Sequence, residues 1–323
     1  MKWKVLLAVL VLVIGMGLAE AKGVVNIHTH VDESGGHGVK VAHTISWVEE
    51  KSNHHEHSYS NNTSYNQYNH SYNKSLQHRS ETEEEKGRKP VENLKNKFDM
   101  IRSHIENARS KYMSAKAKYE ALKHRGLKDP ETFRYAKTFI GNGIEVAKGW
   151  IEMLMIQIQH ANMGEDQKNR LMVKLENCLN TLEVLEDKIN SSETPEELKV
   201  NVQILKDNWS EIMITVKSTL GQLAVAKLGS LLDRLENVTV KVEGMISENN
   251  TVAINLLNDC KLRIKLAREN LELANEKFVA MESAENPNKL WIEGMMLIND
   301  AKKQIILAFK DLKKIYIELR VVS

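Results

Sequence analysis

Cysteine, proline and aromatic residues are all scarce in this 323-residue chain, and its two charge signs almost cancel. Two cysteines are too few for a disulfide scaffold. Four prolines and 6% aromatics, set against abundant Leu, Lys, Glu, Ala and Met, fit helices far better than a sandwich or a Rossmann sheet. With 45 basic against 43 acidic residues there is no bulk field to recruit nucleic acid, and none is expected as a partner. Beyond the N-terminus no stretch is apolar enough to cross a bilayer, and Ile315 to Ser323 is interrupted by Glu318 and Arg320. The chain also lacks a Walker loop, a Gly-rich dinucleotide turn, a His-Glu-x-x-His helix and a Gly-x-Ser-x-Gly elbow. No motif commits it to a reaction, and the expectation is a protein that is not an enzyme.

What is present falls into a short leader, a polar N-terminal region and a long helical body. Lys2 and Lys4 precede an apolar stretch from Val5 to Leu18, and Ala19-Glu20-Ala21 has the small-x-small form of a cleavage site. Residues 1–21 therefore read as a signal peptide. The expected location is secreted or in the extracytoplasmic cell envelope, with no transmembrane anchor after cleavage.

Residues 22–50 hold two β-like runs, from Val24 to Val31 and from Val39 to Val48, around Gly35, Gly36 and Gly38. This is the pattern of a hairpin. Alternation places His28 and His30 on one face of the first strand, and the partner strand carries His43. Three imidazoles are a candidate site for zinc, copper or nickel. Residues 51–89 are low in aliphatics and rich in His, Asn, Ser and Tyr, the composition of a disordered spacer. His54, His55 and His57 form a second, looser candidate cluster there.

From Pro90 onward the pattern is helical. Asp129-Pro130-Glu131, Thr194-Pro195-Glu196-Glu197 and Asn286-Pro287 each place a capping side chain before proline at the first helical position. These signals, with breaks at Gly164 and Asn249-Asn250, predict helices over 91–125, 130–161, 165–190, 195–248, 251–284 and 288–320. The fourth would be about 80 Å long if unbroken. The fold class is therefore all-α: elongated antiparallel helical bundles with coiled-coil-like packing, joined by a long central helix. The expected division is a first bundle over 90–220 and a second over 221–323.

Apolar residues alternate three and four apart along Leu257, Cys260, Ile264, Ala267 and Leu271, a seam that another helix must cover. Ile101, Ile105, Ala108 and Tyr112 repeat the seam 159 residues earlier. The two helical hairpins accordingly read as an internal repeat. In the central helix the steps lengthen to four around Leu220, Ala224 and Leu228, beside Gly221 and Gly229. Cys178 and Cys260 both fall in core rows, as buried thiols or as one disulfide. Asn-x-Ser/Thr sequons at helix junctions make Asn190 and Asn249 candidate glycosylation sites.

The run Thr194-Pro195-Glu196-Glu197-Leu198-Lys199, followed by Ile204-Leu205-Lys206-Asp207-Asn208-Trp209, resembles openings of long helices in secreted archaeal helical-bundle proteins of unassigned activity. That resemblance implies location and fold for the helical body. The functional expectation is a structural or interaction protein whose partner is protein, either itself or a cell-envelope component. An alternative is extracytoplasmic metal binding through the N-terminal histidines.

Overall fold

The computed structural model describes His28–Val31, Val41–Thr44 and residues 83–322, with side chains over 94–319. The leader and most of the His-rich spacer lie outside the described residues. The chain divides into two compact units, Met1–Lys86 and Gly87–Ser323. In the first, strands β1 (His28–Val31) and β2 (Val41–Thr44) pair antiparallel.

Among the described residues are six α-helices: α1 (Glu83–Leu122), α2 (Pro130–Gln159), α3 (Glu165–Ser191), α4 (Pro195–Glu243), α5 (Thr251–Ala280) and α6 (Pro287–Val322). The fold class is all-α. The starts of α2, α4 and α6 coincide with the Asp129-Pro130, Thr194-Pro195 and Asn286-Pro287 signals. Asp129 accepts a hydrogen bond from the Thr132 amide at 2.8 Å, and Asn250 accepts from Ala253 at 3.0 Å. Thr194 and Glu197 bond reciprocally as a capping box, with Pro195 at the first helical position. Each device satisfies amide groups that the helix itself cannot.

α1 departs from expectation. It begins at Glu83 rather than after Pro90, which lies inside it. Proline forgoes one intrahelical bond, but Glu83, Glu84, Glu85 and Lys86 are good helix formers, and the last residues of the expected 51–89 spacer are helix instead.

The long helix is continuous over 49 residues, about 74 Å. It ends at Glu243, short of the expected 248, where Gly244 caps it. Along its first half it runs beside α3, with Asn201 donating to the Lys188 carbonyl at 3.0 Å and Gln222 within 3.3 Å of Gln167. Along its second half it runs beside α5, from Ser218 against Phe278 to Lys261 against Glu243. One core gathers Leu171, Leu175, Leu182 and Ile189 of α3, with Leu198, Val202 and Leu205 of α4, all buried. The other gathers Leu232 and Leu235 of α4, Ile264, Ala267 and Phe278 of α5, and Ile298, Ala301 and Ile305 of α6. Residues 217–227 of α4 touch both sets of helices: Lys227 bonds Gln157 of α2, and Lys217 bonds Asn288 of α6.

Phe278 explains the glycines at this crossing. A Cβ on Gly221 of α4 or Gly294 of α6 would collide with its ring from either side. Trp291 packs on the ring at 5.5 Å between centroids. The four-residue steps of α4 thus coincide with the place where α5 inserts its largest apolar side chain.

Candidate functional site

The hairpin register decides how the N-terminal histidines are spaced. His28 stands opposite Thr44 and His30 opposite Ala42, while His43 stands opposite Thr29. Their side chains, and the whole of His54, His55 and His57, lie outside the described residues. Among the described residues no group of three or more His, Cys, Asp or Glu is arranged to hold a metal ion.

Cys178 and Cys260 do not pair; both are buried free thiols. They sit in different cores. Cys260 lies 3.6 Å from the Ala308 carbonyl oxygen and 3.7 Å from Thr239 Oγ1, whereas Cys178 faces Thr215 in the first half of α4. Burial raises both thiols, which keeps them protonated and inert. Asn190 is exposed at the end of α3, with its amide oxygen close to Gly141, and Asn249 is exposed in the turn between α4 and α5.

The densest polar constellation joins three helices. Lys148 of α2 donates to Glu145 at 2.7 Å and to Glu186 of α3 at 2.8 Å, and His104 of α1 lies 3.0 Å from Glu145. Burial pushes the Glu145 carboxyl up, but hydrogen bonds with Lys148, Glu186 and His104 outweigh it and hold it at about 2. Burial raises Glu186, and the carboxylate of Glu145 beside it adds to the effect. Burial lowers Lys148, yet the two carboxylates carry it above the ordinary lysine range. His104, its ring more than half exposed, is the outer member of this group. The Glu145-Lys148 spacing is visible in the sequence. Glu186 is 38 positions away from Lys148, and only the packing of α2 on α3 brings it in. Every charge in the cluster has an opposite or proton-sharing neighbour, so the group ties helices together rather than presenting a free reactive atom.

A second polar array marks the crossing in α4. Ser218, fully buried, donates to the Phe278 carbonyl at 2.8 Å and receives Gln222 Nε2 at 3.2 Å; Gln222 Oε1 in turn meets Gln167 and Arg170 at 3.3 and 3.4 Å. This chain of bonds links α3, α4 and α5. Beside it lies an open groove of about 270 Å³ bordered by Gln222, Asp233, Arg268 and Asn275. Another, of about 440 Å³, runs between α4 and α5 along Glu236, Lys261 and Lys265. Flanking the second core, Arg263 bonds the buried Asp311 at 2.7 Å, and at the surface Arg268 bonds Asp233 at 3.0 Å and Glu236 at 2.9 Å. No helix among the described residues is long and apolar enough to cross a membrane.

No protein-family model, no curated protein and no solved structure matches the chain.

Proposed function

We propose that this protein is a secreted or cell-envelope structural or interaction protein, in which an elongated helical body carries the N-terminal His-rich segment and offers a helical face to a protein partner. The observation that supports this most directly is α4, a continuous 49-residue helix whose two halves belong to different cores. A helix of that length placed between two cores spaces them apart, which suits a strut better than an enclosed catalytic cleft. The polar clusters support the same reading, since their charges are satisfied inside the fold. The leader-like residues 1–21 motivate the location.

Small-angle scattering on the full chain, extrapolated to zero concentration, tests the shape. A compact chain of this length has a radius of gyration of roughly 20 Å. The expected value is clearly larger, with a distance distribution extended beyond the length of α4. A value at the compact limit would overturn the strut reading.

A further inference from the structure

α5 and α6 each bury one apolar row and leave a second uncovered. On α5, Leu262, Leu266 and Leu273 are 56%, 39% and 47% exposed. Leu262 lies two residues from both Cys260 and Ile264, on the side of the helix away from the core. Together with Val252 these leucines continue in steps of three and four through Asn255, Asp259, Glu269 and Glu276. On α6 the exposed residues Ile292, Met296, Ile306 and Ile317 follow the same spacing through Asn299, Lys303, Lys310 and Lys313. Both are coiled-coil seams interrupted by charge, acidic on α5 and basic on α6. Asp259, Glu276, Lys310 and Lys313 take part in no ion pair among the described residues.

We propose that these rows bind a second copy of the chain, with α5 of one protomer lying antiparallel on α6 of the other and the reciprocal contact forming at the same time. The register supports this. Within the chain, the 3.6 Å contact of Cys260 with the Ala308 carbonyl and the packing of Phe278 on Trp291 fix the heights of α5 and α6. A two-fold axis parallel to the helices preserves those heights, so residues level within the hairpin are also level between protomers. Val252 then meets Ile317, Asp259 meets Lys310, Leu262 meets Ile306 and Leu273 meets Met296. Apolar faces apolar and acid faces base. Packing α5 on α5 about the same axis would instead set Asp259 against Asp259, and α6 on α6 would oppose Lys310 to itself. Each seam runs roughly 40 Å. Two of them have the extent of a specific interface, which needs about 1,200–2,000 Å².

This inference rests on the interaction-protein reading and identifies the partner. Sedimentation velocity of the full chain over a wide concentration range is expected to show a species of twice the chain mass. Replacing Leu262→Glu together with Leu273→Glu is expected to give a monomer whose circular dichroism is unchanged, because both positions are exposed. Asp259→Lys should weaken the dimer about tenfold or more at low salt, and adding Lys310→Asp in the same chain should restore it. A monomer at every concentration overturns the proposal, as does a dimer indifferent to all of these changes. An extended monomer in scattering would leave the strut reading standing while removing the dimer.

Discussion

At the residue scale the fold is most exacting around Phe278. The sequence shows that α4 changes its stride near Gly221, but the cause is an aromatic side chain 57 positions later that no local pattern announces. Gly229, eight residues on, resembles Gly221 in sequence and differs in surroundings, for nothing lies within 4 Å of a Cβ built there. The two glycines therefore give opposite predictions. Gly221→Ala gains up to about 1 kcal/mol of helix propensity but must displace the Phe278 ring, an overpacking cost of about 1–3 kcal/mol. Gly229→Ala keeps the gain alone. Urea denaturation is expected to show a lower midpoint for the first and a higher one for the second. Equal shifts would mean that the close approach of α4 and α5 is not what requires glycine at 221.

At the element scale, helix starts were legible and cross-helix chemistry was not. Capping side chains act over three or four residues, so Asp129, Thr194 and Asn286 announce α2, α4 and α6 without help from the rest of the chain. The start of α1 escaped because a proline outweighed four helix-forming residues before it in a local reading. The Glu145-Lys148-Glu186 group escaped because its third member belongs to another element. That group yields a stability prediction. Lys148→Met leaves two adjacent carboxyls without their cation, at a cost of about 2 kcal/mol near neutral pH. Glu145, with its folded value depressed to about 2, contributes stability that is present above its unfolded range and lost as pH falls toward 2. Glu186, raised, works in the opposite sense: its favourable contribution is present at low pH and is lost as pH rises through its folded value. Glu186→Gln should consequently cost much less than Lys148→Met at neutral pH. The difference between wild type and Lys148→Met should shrink as the solution is acidified below about pH 4.5. A penalty independent of pH down to the acid transition would show that the side chain acts through packing of its aliphatic stem instead.

At the scale of the whole helical unit, the question is whether two cores strung on one helix behave as one body. Composition and spacing made the all-α class and the six helices readable, since an amphipathic helix encodes its period along its own length. How the cores are coupled is not written in any period. It depends on residues 217–227 of α4, where Lys217, Ser218, Gln222 and Lys227 bond to α6, α5, α3 and α2. A helix interior cannot unwind on one side of such a segment without fraying the bonds on the other, so the cores should unfold together. Leu175→Ala removes a fully buried side chain from the first core, and Ile298→Ala does so from the second. Each should cost about 2–5 kcal/mol. The expected outcome in thermal melts followed by circular dichroism is a single transition that both substitutions move downward. If Leu175→Ala instead splits the melt into two steps, with the later one unmoved, the cores are independent domains and α4 is a tether between them rather than a shared structural member.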